Sequence, residues 1–420
     1  MACVSCAPSS PSASGLSGRG ARSNRQLRVL LLSEFYPPAR GGLEFHVAGV
    51  AEGLVARGHQ VEVATLGPER SVEIERGVTV HRLRSTASRL RFLYEDPSRP
   101  FHLPVPDPAV WRQLHAVTAA FCPDVVHAHN WMAASLPRTG APLILTSHDY
   151  AWICPKRTML LQDGSTCSGP RLSKCTLCSR MQYGSFKAPL LDASTRFGRR
   201  WVRPQAHVAV STAVAQRLKA FSRHVRVVPN FVPADLQDMP EVDVNGLPAP
   251  PFALFAGSVQ PHKGTAVLAS AWRSGPPPCS LVVAALDSAK EPWPEATTVL
   301  NLSRQEVLSV MRRSTVLVVP SLWPEPCPTV VLEAMALGVP VVASSVGGIP
   351  EILGRAGRTV PPGDALALRR AVKDILDDRD LAAQMSEAGR SRSQSYAMAS
   401  VLSELERIYQ EVVSAANGTD

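Results

Sequence analysis

Long apolar runs are missing from this chain. No stretch approaches the roughly 18 consecutive apolar residues that a bilayer-crossing helix needs. Aromatic residues are scarce, at 6%, which argues against a binder of single-stranded nucleic acid built on stacked bases, and no nucleic-acid partner is expected. Charged residues are only 19%, too few for a disordered polyelectrolyte. The excess of cations, +9 overall, suits an acidic ligand or an anionic surface. An apolar signal region is also lacking. Residues 1–26 are mostly Ser, Ala, Gly and Arg, and are expected to be a disordered tail rather than a secretory leader. Nine cysteines without an export signal imply reduced thiols and a cytoplasmic location.

What is present is material for large cores. The chain has 420 residues, 45% of them hydrophobic, so two domains or more are expected. The apolar run 27–32 reads as a buried strand. It leads through Pro37-Pro38 and Gly41-Gly42 into a helical pattern, Leu43, Val47, Val50, Ala51 and Leu54. Arg57-Gly58 ends that helix, and 60–66 is the next strand. This β–Gly loop–α–β order opens a doubly wound sheet. Further strands are expected at 78–83, 124–128, 142–147, 206–210 and 225–228. An irregular, Pro-containing run before Pro251 marks a boundary. Beyond it, strands at 251–256, 280–285, 315–319, 339–343 and 357–360 alternate with helices. The last stretch, 381–415, is helical without a strand partner.

After the strand 315–319 come Glu325 on a loop and Glu333 about one turn into a helix, with Thr329 near the helix start. Free amides there favour a phosphate. Carboxylates are acceptor-only groups suited to sugar and ribose hydroxyls. Taken alone, an ordinary loop acid and an ordinary helix acid explain the pair equally well. Upstream, Lys263-Gly264 follows a strand end, where a lysine can neutralise a leaving diphosphate. Downstream, Gly347-Gly348-Ile349-Pro350-Glu351 forms a strand-to-helix turn.

With Gly41-Gly42 and Asp124-Val125-Val126-His127-Ala128-His129, these elements resemble the retaining glycosyltransferase family 4 over residues 28–415. The resemblance implies an α/β GT-B fold. Two Rossmann-like domains would face across a cleft, with a C-terminal helix packing back on the N-terminal domain. The domains would be 27–230 on the acceptor side, with an insertion at 150–186 and the helix 396–415, and 231–395 for the nucleotide sugar. The implied activity is transfer of a hexose from a nucleoside-diphosphate sugar to a glycan, lipid-linked or small-molecule acceptor. A non-catalytic nucleotide-sugar-binding subunit and a GT-B epimerase are the alternatives. The resemblance places His129, Lys263 and Glu325 at the reacting centre. Gly41, Gly42, Ser258, Thr329, Val330, Glu333 and His148 would contact substrate. No cofactor is implied for the chemistry. Ser258 departs from the family, which usually carries arginine there, so half of a cationic clamp is absent. A dehydrogenase is disfavoured because Gly41-Gly42 is not G-x-G-x-x-G.

Cys154, Cys167, Cys175 and Cys178 fall in the insertion with spacing C-x12-C-x7-C-x2-C. A structural zinc clipping the loop and four separate reduced thiols are equally weighted readings. Asp378-Arg379-Asp380 spells D-x-D but lies between C-terminal helices and reads as a solvated turn. Two basic-aromatic clusters, Arg82 to Tyr94 and Arg196 to Arg203, suit either peripheral contact with the inner face of an anionic membrane or ordinary solvated faces.

Overall fold

The computed structural model describes residues 25–39, 41–86, 102–285, 296–300 and 302–418. The expected tail up to residue 24, and Arg89 to Tyr94 of the first basic-aromatic cluster, lie outside the described residues.

Among the described residues, fourteen strands build two sheets. The strands of the first are β1 (Arg28–Ser33), β2 (Gln60–Leu66), β3 (Ser71–Glu75), β4 (Val78–Leu83), β5 (Val125–His129), β6 (Leu143–Ser147), β7 (Ala206–Ala209) and β8 (Val225–Val227). Their order is β3-β4-β2-β1-β5-β6-β7-β8. The second sheet has β9 (Phe252–Gly257), β10 (Ser280–Ala285), β11 (Ala296–Leu300), β12 (Val316–Val319), β13 (Val341–Ser344) and β14 (Arg358–Val360), in the order β11-β10-β9-β12-β13-β14. The chain falls into two compact units, 1–145 with 197–206 and 407–420, and 146–196 with 207–406.

Parallel pairing explains the continuous apolar runs. In β1, Val29, Leu30, Leu31 and Leu32 are fully buried, because helices cover both faces of such a sheet. β1 pairs in parallel with both β2 and β5, so Leu31 stands beside Val63 and His127, and Ser33 beside His129. β9 likewise pairs with β10 and β12. In each sheet the strand order reverses at one place, between β1 and β5 and between β9 and β12. Doubly wound sheets bind ligands beyond the carboxyl ends of the strands at such a reversal.

Two strands were not expected from sequence. β3 is an antiparallel edge whose side chains are largely exposed, and Val72 and Ile74 stand in solvent between Ser71, Glu73 and Glu75. The segment alternates polar and apolar residues, but its apolar side chains stand in solvent at an edge and not in a core. β11 joins β10 at the other edge. Near the C-terminus, Asp378 caps the helix Arg379–Ser393 by accepting from Leu381 N at 2.9 Å. The D-x-D is therefore a helix start. In the helix Met398–Asn417, Tyr409 is buried, and its hydroxyl shares a 2.7 Å hydrogen bond with His127 Nδ1. This packs the chain end back on the N-terminal strands, as expected.

The first basic-aromatic cluster is not a lipid-facing one at Arg82. Its guanidinium is spent on Glu73 at 3.2 Å, Glu75 at 3.1 Å and the Pro37 carbonyl at 2.8 Å. Among the described residues no helix is long and apolar enough to cross a membrane.

Candidate active site

The carboxyl ends of β9 and β12, neighbours at the reversal of the second sheet, carry the central pair. β9 runs into a loop and a short 3-10 turn, Pro261–Lys263. Gly264 closes that turn at φ 74°, and a Cβ there would lie 1.8 Å from the Pro320 carbonyl oxygen, so only glycine lets the two loops meet. β12 runs into Pro320 and the loop bearing Glu325. Lys263 Nζ and Glu325 Oε1 then lie 2.7 Å apart, and Ser321 Oγ donates to the same oxygen at 2.6 Å. Glu325 is almost fully buried, whereas Lys263 keeps a quarter of its side chain exposed. The ammonium also stands 5.0 Å from the centre of the Trp323 ring, a cation–π distance.

Gly347 and Gly348 support this loop. Gly348 N donates to the Glu325 carbonyl at 2.7 Å. A Cβ on Gly347, which sits at φ 57°, would approach that carbonyl oxygen to 2.1 Å, and one on Gly348 would approach the Pro326 oxygen to 2.2 Å. The two glycines thus let backbone pack on backbone beneath Glu325. Glu351, from the same motif, accepts from Thr212 N at 2.8 Å and Thr212 Oγ1 at 2.9 Å, tying down the start of the helix Thr212–Leu218.

Thr329 begins the helix Thr329–Leu337, and Glu333 lies one turn in, as expected. Pro328 occupies the cap position and supplies no side-chain bond. The first-turn amides of Thr329 and Val330 are therefore left to other acceptors. Glu333 is buried and bonded to Arg304 at 2.7 Å, so it has a cation of its own rather than sharing Lys263. Burial raises the Glu333 pKa, and Arg304 opposes the rise. Ser258 is part-buried at the end of β9, its carbonyl accepting from Gln260 N at 3.0 Å. Asn230 is buried, and its amide nitrogen donates to the Cys327 carbonyl at 2.8 Å.

Sequence reading missed Ser321, Trp323, Tyr150 and Arg304. Trp323 meets Tyr150 edge-on at 6.3 Å and His262 at 5.4 Å. His262 is accordingly part-buried, its pKa lowered to about 4 by burial and by Lys263. His148 sits part-buried on the turn after β6, two residues before Tyr150. Ser321 and Trp323 stand close to Glu325 in sequence and could have been flagged by that proximity. Arg304 precedes Glu333 by 29 positions and offers no local signal.

The first sheet has its own polar cluster at its reversal. His129 ends β5 and is fully buried, with its ring 4.4 Å from that of His127 and 6.2 Å from that of His46. Period-two alternation puts the first two on one face. Burial, with His46 nearby, lowers the His127 pKa to about 3, so its imidazole is neutral. Gly41 and Gly42 begin the helix Gly42–Ala56 after β1. A Cβ on Gly41 would fall 2.4 Å from Glu44 Oε2, so glycine there makes room for that buried carboxylate. Glu34, next after β1, accepts from Trp131 N at 3.1 Å.

The four insertion cysteines do converge. Cys154, Cys167, Cys175 and Cys178 line one pocket of about 20 Å³ with Lys156 and Lys174. The zinc expectation nevertheless finds no support. Among the described residues no group of three or more His, Cys, Asp or Glu side chains is arranged to hold a metal ion, and all four are free thiols. Burial raises the pKa of Cys154 and Cys175. The neighbouring ammonium groups are turned elsewhere, Lys156 to the Leu160 carbonyl at 2.6 Å and Lys174 to Ser168 Oγ at 3.2 Å.

Two parallel-sheet α/β domains with these loops define a glycosyltransferase of the GT-B class. The family model for glycosyl transferases group 1 matches residues 243–392, and that for Glycosyltransferase Family 4 matches residues 40–236. The chain belongs to the group 1 glycosyltransferases of family 4 type. It is 25% identical over 400 residues to a glycogen synthase of Mycobacterium tuberculosis, covering 87% of this chain and 90% of that one. It is 26% identical over 418 residues to a D-inositol 3-phosphate glycosyltransferase of Streptomyces avermitilis, covering 89% and 84%. Among solved structures, sucrose-phosphate synthase from Thermosynechococcus elongatus superposes with a TM-score of 0.68 at 20% identity, over 93% of this chain and all of that one. Anabaena HepE in complex with UDP-glucose gives 0.63 at 16%, over 93% and 100%.

Proposed function

We propose that this protein is a retaining hexosyltransferase that moves a sugar from a nucleoside diphosphate to a glycan, lipid-linked or small-molecule hydroxyl. The observation that carries the reading is the Lys263–Glu325 pair at the reversal of the second sheet, followed by a helix start without a side-chain cap. The reading takes residues 231–395 as the nucleotide-sugar side and 27–230 as the acceptor side. Related names support the substrate class. HepE is described in complex with UDP-glucose, and starch synthase IV of Arabidopsis thaliana with ADP and acarbose.

In this mechanism Lys263 and the amides of Thr329 and Val330 hold the diphosphate, and Glu333 accepts from the ribose hydroxyls. Glu325 holds a hydroxyl of the sugar. The bond between the anomeric carbon and the phosphate oxygen breaks through an oxocarbenium-like state. Negative charge grows on the phosphate, where Lys263 and the helix start oppose it. The acceptor oxygen bonds to the same face of the anomeric carbon, and its proton passes to the departing phosphate. His129 and His148 line the reacting side in this reading, and Gly41-Gly42 brings backbone close to the phosphates.

A second reading, a nucleotide-sugar binder without turnover, draws on Ser258 in place of a second cation. The deciding experiment has two stages. Thermal shifts with UDP-glucose, ADP-glucose and GDP-mannose identify the donor, since binding to the native state raises the melting temperature. Nucleoside diphosphate release is then measured with and without acceptors. Release stimulated by an acceptor supports the transferase, whereas a thermal shift with no release supports the binder.

A further inference from the structure

The helix Leu172–Trp201 is interrupted at Gly184, where φ is 76° and ψ 169°. Cys175, Ser179, Ala188 and Asp192 on this helix are buried. Two positions from each lies an exposed apolar side chain. Leu177, Met181, Phe186 and Leu190 are 58, 77, 84 and 60% exposed. Two residues advance about 200° around a helix, so within each segment, before and after Gly184, the exposed apolar pair lies on the side opposite the buried pair. A solvated helix carries polar groups there.

The charge around this face has one sign. Residues 164–191 contain Arg171, Lys174, Arg180 and Lys187 and no acid. Arg171 and Arg180 are exposed. The first acid beyond them, Asp192, is buried and bonded to Arg196 at 3.1 Å. Ile74, 78% exposed, has a different setting, between Glu73 and Glu75. A second copy of the chain is a poor occupant, because a two-fold contact would set cations against cations. An anionic lipid surface complements both features. Apolar side chains enter the boundary between headgroups and acyl chains, and the cations meet the headgroups.

We propose that the exposed apolar pairs Leu177 and Met181, before Gly184, and Phe186 and Leu190, after it, with the neighbouring Arg171, Lys174, Arg180 and Lys187, seat the protein on an anionic bilayer surface. The test contains no sugar donor, so its outcome is independent of the transferase reading. The full-length protein is floated with phosphatidylcholine vesicles, with and without phosphatidylglycerol. Binding is expected only with the anionic lipid, and is expected to weaken as salt is raised. Met181→Asp with Phe186→Asp should reduce binding about tenfold or more. Met181→Leu with Phe186→Leu should preserve it, as should Ile74→Asp. An unchanged melting temperature shows that the aspartate variant is folded. Equal binding to both vesicle types, no binding to either, or undiminished binding by the aspartate variant overturns the proposal. A dimer dispersed by the same variant would assign the face to a second copy and overturn it as well.

Discussion

Lys263 and Glu325 neutralise each other across 2.7 Å, although 62 residues separate them in the chain. The lysine is the accessible partner and the carboxylate the buried one. On the transferase reading, an incoming diphosphate would meet a cation already held in place by Glu325 and the Trp323 ring, with Ser321 bonded to the same carboxylate oxygen.

Replacing Lys263 by alanine removes the group proposed to face the leaving phosphate. On the transferase reading, kcat/KM should fall by about 10²–10³-fold. Glu325→Gln should cost comparable activity with a smaller loss of melting temperature, because the amide still bonds to Ser321. Initial rates with the identified donor check both variants, and less than a tenfold loss in Lys263→Ala would falsify the leaving-group assignment.

Gly347→Ala forces a methyl group onto the Glu325 carbonyl and strains a φ of 57°. The expected cost is about 1–3 kcal/mol of stability, with a loss of activity larger than unfolding accounts for. Denaturant melts and rates on the same preparation test it, and an alanine variant of normal activity would show that the loop position is not critical.

Arg304→Met leaves Glu333 buried without its cation. The Glu333 pKa, already raised by burial, should rise further, and the thermal shift given by the nucleotide sugar should shrink. Adding Glu333→Gln removes the stranded charge. The double variant should therefore be more stable than Arg304→Met alone, with a coupling of roughly 1–3 kcal/mol. Additive melting temperatures across the four proteins of this cycle would contradict the pairing.

Acid should destabilise the fold early. His127 and His207 are buried with pKa values lowered to about 3 by desolvation. As pH falls below about 6.5, the unfolded chain takes up protons at these positions and the folded chain does not. Stability is therefore full above that pH and declines steadily between about 6.5 and 3, by up to the order of 4 kcal/mol per histidine. His207→Phe, which also removes the bond to Ser147 Oγ, should flatten the dependence of melting temperature on pH between 7 and 5. An unchanged slope would mean that this histidine is protonated in the native state.

Much of this architecture was legible because it is written locally. The buried strands of two parallel sheets appear as short apolar runs, and Gly264, Gly347 and Gly348 stand where only glycine lets loops touch. The Glu325 loop and the start of the helix at Thr329 follow from a contiguous stretch. Less visible were β3, a five-residue edge strand whose apolar side chains stand in solvent, and the helix beginning at Leu172, which runs into what reads as a loop-rich insertion.

Sequence alone determined the α/β class, the alternation of strands and helices, and which loops carry the cation and the carboxylates, since each depends on neighbours a few residues apart. Tertiary structure alone decided the pairing of charges. Lys263 goes to Glu325 because sheet order sets the ends of β9 and β12 side by side, and Arg304 to Glu333 because the helices Arg304–Arg313 and Thr329–Leu337 pack together. It also brought four cysteines of a long insertion together around one small pocket. The path of the folded loop governs that convergence, and it is not visible in spacing.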